Sequence, residues 1–145
     1  MADLLGDPGV MTYYPHPLSR AEAQTWIDWN GRLYADRGFG LWALVLGATG
    51  EFLGDCGLTP QRIEGVDEVE VGYHVRTRHQ GLGYATEAAA ACRDAARDRY
   101  GVRRLVAIVH PSNRPSQRVA EKIGLRVEKR ACIHGEERLI YAAAL

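Results

Sequence analysis

No stretch of this chain is apolar for anything near the ~18 residues that a membrane span needs. Charge of neither sign is in excess: 18 Lys and Arg stand against 18 Asp and Glu. Without a basic surplus, general nucleic-acid affinity is not expected. Cysteine is scarce, and Cys56, Cys92 and Cys132 are odd in number and form no CxxC or Cys/His pair. That excludes a zinc site and a disulfide framework, and the three read as buried thiols acting as small apolar groups. Residues Met1 to Val10 hold two aspartates and no basic side chain, so they do not read as a secretory signal. Repeats, low-complexity tracts and linkers are absent. The expectation is a cytoplasmic protein with no membrane or nucleic-acid partner.

What is present is ordinary for a globular chain: 46% hydrophobic and 25% charged residues. The 145 residues suit a single domain, 1–145, with a core of its own. The zero net charge conceals an asymmetry. Residues 1–72 carry 4 basic and 11 acidic side chains, and residues 73–145 carry 14 basic and 7 acidic. Such halves could hold a cationic substrate and an anionic cofactor on opposite sides of one cleft.

Ser19 and Glu22 form a capping box, and Ala23, Trp26, Ile27, Leu33 and Tyr34 follow at helical spacing to Gly38. The spacing predicts a helix over 20–37. Leu41 to Leu46 and Glu51 to Leu58 read as a hairpin about Ala48-Thr49-Gly50. Pro60 to Asp67 reads as a polar loop. Residues 68–75 alternate as a strand, with Val69, Val71, Tyr73 and Val75 on one face and Glu68, Glu70 and His74 on the other. An alanine-rich stripe from Ala85 to Tyr100 predicts a helix that packs close to a sheet. Leu105 to Val109 is a strand, Arg114 to Ile123 a short helix, and Leu125 to Ile133 and Arg138 to Ala143 are strands around residues 134–137. This order makes a mixed α/β sheet rather than a regular βαβ winding.

The informative stretch runs Arg78-His79-Gln80-Gly81-Leu82-Gly83-Tyr84-Ala85-Thr86-Glu87. A glycine turn there feeds a helix start, where backbone N–H groups lack partners and the dipole is positive. A phosphate or pyrophosphate satisfies both, with Arg76 and Arg78 adding counter-charge. Thr86 stands where a dinucleotide motif needs its third glycine, and no Gly-Lys-Ser/Thr follows, so neither nucleotide-loop pattern fits.

Three segments in order resemble the GCN5-related N-acetyltransferases (GNAT), and most the branch of the ribosomal-protein N-terminal acetyltransferases of the RimJ/RimL type. Arg78-x-x-Gly81-x-Gly83 with Tyr84-Ala85-Thr86-Glu87-Ala88 is similar to the family's pyrophosphate loop. Glu70-Val71-Gly72-Tyr73 is similar to the strand entering it. Asn113-x-x-Ser116-x-Arg118-Val119-x-Glu121-Lys122-x-Gly124 resembles the second cofactor motif, and Gly38 to Trp42 and Gly54 to Leu58 resemble the branch's first hairpin.

The resemblance implies a central mixed, mostly antiparallel sheet, with a V-shaped splay between two parallel strands and helices on both faces. It implies acetyl transfer from acetyl-CoA to the primary amine of a small molecule or protein, by direct attack on the thioester and with no metal. Backbone N–H groups across Gln80, Gly81, Leu82, Gly83, Tyr84, Ala85 and Thr86 would cradle the pyrophosphate. His74 and Val75 would pair with pantetheine like an added strand. A backbone N–H there would stabilise the oxyanion, typically by ~3–4 kcal/mol. Glu70 is the candidate base, with Glu68 the runner-up and His110 weaker. Asn113 is read both as a helix N-cap and as a contact to the pantetheine arm. Ser116 is a candidate hydrogen-bond partner of the cofactor and of the leaving thiolate.

Two departures leave a non-catalytic acyl-CoA-binding module as the alternative. Ala120 occupies the position where many members carry the tyrosine that reprotonates the thiolate. The family's first strand is not evident before the first helix. That would leave a sheet edge, which a second copy could cover as a homodimer. Trp26, Trp29 and Trp42 read as core aromatics, with an acceptor pocket as the other reading.

Overall fold

A computed structural model describes all of residues 1–145. The strands are β1 (Leu41–Val45), β2 (Phe52–Ile63), β3 (Val66–Val75), β4 (Arg104–Val109), β5 (Arg126–Ile133) and β6 (Glu136–Ala144). The helices are α1 (Ala2–Leu5), α2 (Arg20–Arg37), α3 (Tyr84–Asp98) and α4 (Arg114–Lys122). The strands form one sheet in the order β1-β2-β3-β4-β6-β5. Every pairing is antiparallel except β3 with β4.

Helix α2 begins and ends where its sequence says. The Ser19 hydroxyl accepts from Glu22 N, Ser19 N donates back to Glu22, and Gly38 closes the helix at φ 77°. Asn30, 5% exposed, then ties α2 to the sheet by accepting from Leu41 N at 2.8 Å.

The polar loop expected at 60–67 is instead the tip of a long β2–β3 hairpin. Its turn is only Glu64 (φ 50°) and Gly65 (φ 78°), a left-handed pair that matches the twist of the flanking strands. Polarity misleads here because this ribbon projects past β1, whose pairing with β2 ends at Gly57. Pro60 is tolerated where β2 has a neighbour on one side only. His134 and Gly135 make a second such turn, so Glu136 and Glu137 are strand residues rather than loop. Cys132 is exposed, against expectation, whereas Cys56 and Cys92 are buried with their sulfurs 3.7 Å apart.

Alternation along the strands sorts the side chains onto two faces. On one face Leu58, Val71, Leu105 and Tyr141 pack against Ala89, Cys92 and Ala96 of α3 and Ala120 of α4. The small residues let α3 lie close to the sheet. On the other face Val106, Ile140 and Ala131 form a smaller cluster, and α2 sets Trp26 against His74 with ring centroids 5.8 Å apart. Before α2 the chain holds α1 and turns, and Leu5 and Met11 pack with Ala23.

Gly57 sets the spacing of β1 and β2. A Cβ there would run into the backbone at Gly40 O and Leu41 Cα. Gly57→Ala is expected to cost about 1–3 kcal/mol, read as a lower urea midpoint at unchanged m.

Candidate active site

The parallel join of β3 and β4 is only two residue pairs long, Val69 with Leu105 and Glu70 with Val106. Beyond it the strands splay, and a cavity of about 930 Å3 occupies the gap. One wall is β3 and the glycine turn, and the other is the end of β4 with α4. The β3 backbone past Glu70 has no β4 partner, so it is free to accept an added strand.

The glycine turn borders one end of the cavity. Gly81 (φ 76°) and Gly83 (φ 87°) hold left-handed conformations, and Gly83 is the N-cap of α3 with no side-chain cap. The first amides of α3, at Tyr84, Ala85 and Thr86, therefore have no partner within the helix. All five residues line the cavity, as do Val75 and Gln80. Gln80 is fixed by donating its side-chain N–H to Val75 O at 2.9 Å. Other expected contributors stand elsewhere: Arg76 reaches Phe52 O, Arg78 is paired with Glu51, and Leu82 is 63% exposed outside the lining.

On the facing wall Asn113 caps α4 by accepting from Ser116 N at 3.2 Å, so its N-cap reading holds. Ser116 lines the cavity, and the Tyr73 hydroxyl comes across the V to it, 2.9 Å from Ser116 O and 3.1 Å from Oγ. Burial pushes the Tyr73 phenol up to about 12, so it stays a donor across the working pH range. Ala120 is fully buried in the core. The phenol beside Ser116 thus comes from β3 rather than from α4.

At the root of the splay lies Glu70, half-buried and accepting from Thr59 at 3.3 Å. Burial pushes its carboxyl up to about 7; the hydrogen bonds from Thr59 and Gln61 and the nearby His74 oppose this and are outweighed. A carboxyl poised there can take a proton near neutrality. Glu68 is unavailable for that task because Arg104 holds it at 3.1 Å. His110 lines the cavity, but its Nδ1 accepts from Ser112 N and its ring stacks on Tyr13 at 4.9 Å.

Two residues of this region escaped the sequence reading. His74, 7% exposed, lines the cavity, and its imidazole lies on the Glu70 face as the alternation predicts. There its Nδ1 lies 2.7 Å from Asp55 Oδ1 and its Nε2 2.6 Å from the Tyr14 hydroxyl. Burial alone would lower His74, but Asp55 and Glu70 outweigh it and carry the imidazole above its ordinary value. Asp55 is 2% exposed, and its Oδ2 has no partner. The alternation that pairs His74 with Glu70 was legible. Asp55 and Tyr14, 19 and 60 residues away from His74, carried no local signal.

The segment before α2 crosses the cavity mouth and touches both arms. Tyr14 and Asp7 reach His74 and Thr77 on one side. Tyr13 reaches Ser112 O on the other, and Arg138 donates to Tyr13 O. Trp26 and Trp29 line the cavity, which corrects the core reading for Trp29, whereas Trp26 also packs against the cluster of Leu5, Met11 and Ala23. Trp42 packs against the larger core. No helix is long and apolar enough to cross a membrane, and no group of His, Cys, Asp or Glu is placed to hold a metal ion.

The family model of the acetyltransferase (GNAT) domain matches residues 1–126. The uncharacterised Bacillus subtilis protein YkkB is 43% identical over 126 residues, 87% of this chain and 73% of that one. A solved acetyltransferase from Agrobacterium tumefaciens is 31% identical, with TM-score 0.85 over 98% of this chain and 81% of that one. A GNAT-superfamily phosphinothricin acetyltransferase from Sinorhizobium meliloti, solved with acetyl-CoA, is similar in fold alone. It is 14% identical, with TM-score 0.76 over 99% of this chain and 80% of that one.

Proposed function

The chain belongs to the GNAT acetyltransferases, and from that premise we propose that it moves the acetyl group of acetyl-CoA onto a primary amine by direct attack on the thioester. One observation carries the reading: a single cavity joins the partnerless amides of the Gly81–Thr86 turn to the raised carboxyl of Glu70 through the open V. The turn suits the pyrophosphate, because unpaired N–H groups at a helix start recruit anions. The free edge of β3 suits the amide groups of pantetheine, which could pair there as a strand would.

At the root of the V the amine must lose a proton before it can attack. Alkyl ammonium groups titrate near ~10.4. Glu70, ionised above about 7, accepts that proton directly or through water. Ser116 and Tyr73 give the departing sulfur a hydroxyl donor where Ala120 gives none. A module that only bound the acyl carrier would have no use for a poised carboxyl at this place.

A thermal-shift titration tests the reading. Acetyl-CoA at 100-fold over its Kd should add ~2.7 kcal/mol, a rise of roughly 5–10 °C for a chain of this size, whereas NADH should leave Tm unchanged. Thiol release on adding primary amines then separates an enzyme from a binding module. Gly83→Val should weaken acetyl-CoA about tenfold or more by calorimetry, since at φ 87° a β-branched residue strains the turn. A wild-type chain that melts cooperatively and ignores acetyl-CoA would refute the proposal.

A further inference from the structure

A protonated amine gives up two protons in becoming an amide, and Glu70 accounts for one. Resting on the acetyl-transfer reading above, we infer that the Tyr14 hydroxyl, backed by His74 and Asp55, is the second proton acceptor and takes the proton released as the amine adds to the thioester.

The geometry is that of a hydroxyl–imidazole–carboxylate chain. Asp55, being a carboxylate, only accepts, so His74 Nδ1 carries a proton toward it at 2.7 Å. In the neutral ring Nε2 then accepts from the Tyr14 O–H at 2.6 Å. This is the arrangement by which a carboxylate orients an imidazole that takes a hydroxyl's proton. Asp55 and His74 are shut off from solvent, whereas Tyr14 is 42% exposed and lines the cavity. The chain therefore has one end in the protein and the other at the acceptor side. A structural role alone would not require the outer member to be open to the cavity.

The groups that face this chain are few. Glu70, Asp55, Tyr73 and Arg138 act on Tyr14, and Asp55 and Glu70 act on His74. Arg138 is tied to Glu136 at 2.6 Å. Asp55 beside His74 stabilises the imidazolium that the step creates, Glu70 having already taken the first proton. The protein packed around its hydroxyl, with Glu70 and Asp55 nearby, holds the phenol above its ordinary range although the rest of the ring is open to the cavity, so Tyr14 rests protonated and relays a proton rather than storing a charge.

The step balances. R–NH3+ gives its first proton to Glu70. The nitrogen lone pair forms the C–N bond, and the carbonyl π pair moves to oxygen. The ammonium of the tetrahedral adduct then passes a proton to Tyr14 Oη as the Tyr14 proton moves to His74 Nε2. The oxyanion collapses and the C–S bond breaks, with its pair leaving on sulfur. One of the two protons returns to the thiolate and the other goes to water.

Two probe amines tell the two acceptors apart: ethylamine, an ammonium ion near pH 7, and methoxyamine, already neutral there. Both must shed a proton after attack, but only ethylamine must shed one before it. Thiol release would be measured at saturating acetyl-CoA for wild type, Glu70→Gln, Tyr14→Phe and Asp55→Asn. Glu70→Gln should lose far more activity with ethylamine than with methoxyamine. Tyr14→Phe should lose about tenfold or more in kcat with both amines alike, at unchanged acetyl-CoA Kd. Asp55→Asn should follow Tyr14→Phe and move the acid limb that belongs to His74. Tyr14→Phe keeps the ring, so it stays informative if Asp55→Asn melts early. Wild-type turnover with Tyr14→Phe within twofold on both amines overturns the relay alone. Acetyl-CoA binding with no wild-type turnover of either amine overturns the relay and the transferase reading together.

Discussion

Glu70→Gln should lower kcat for an alkylamine by about 10²–10⁴-fold, the usual worth of a positioned general base, while acetyl-CoA binds as before. The amide keeps the shape and the Thr59 contact but cannot take a proton. The pH profile gives the sharper check. In the wild type the rate climbs as pH passes about 7 and Glu70 ionises. With His74 also required neutral, log kcat should fall in acid with a slope of about two, and in Glu70→Gln with a slope of about one. Stability moves the other way. The folded-state value, about 7, lies above the ordinary 4.5, so the native state binds the extra proton between them. Raising pH through that window therefore costs the wild-type fold stability. Glu70→Gln should melt higher than wild type above pH 7, and this advantage should shrink toward pH 4.5.

The largest loss of stability should follow Asp55→Ala. Asp55 is buried against a buried imidazole, and removing one member of such a pair typically costs ~3–5 kcal/mol. For a chain of this length that lowers Tm by roughly 10 °C or more. Because His74 is raised in the fold, the pair's contribution is fully present below the ordinary histidine value and fades as pH rises through the folded one. Melting scans from acid to alkaline pH should show the defect of Asp55→Ala at its greatest in acid. A defect independent of pH would mean that the carboxylate acts there by packing alone.

Helix α2 was legible because its signals are local, a Ser19–Glu22 box and a glycine stop. So were the β3 alternation, which put Glu70 and His74 on one face, and the glycine turn with the α3 that follows it. What stayed hidden depends on juxtaposition across the chain. No period links Tyr14, Asp55 and His74, and none carries the Tyr73 hydroxyl over to Ser116. The β2–β3 ribbon hid for another reason. Its polar residues are those of a loop, and only the pairing of Gln61 with Glu68 and Arg62 with Asp67 makes them strand. Trp26 and Trp29 share a helix face, and a face says nothing of whether a core or a cavity lies opposite.

The short parallel join also bears on how the chain assembles. Residues 41–75 form antiparallel neighbours that close over short loops, and so do residues 126–144, to which β4 adds along β6 as part of the second piece. Such pieces form fast, whereas contacts distant along the chain form slowly. The two pieces meet where Val69 and Glu70 pair with Leu105 and Val106, with Arg104 clasping Glu68 across the junction. Among the strand pairings, that meeting closes the longest loop and has the shortest register to hold it. It should therefore be the last to form and the first to open, with amide exchange fastest along the β3–β4 line. A ligand lying in the splay touches both pieces and would slow that opening. The splay that holds the cavity and the seam expected to open first are the same place.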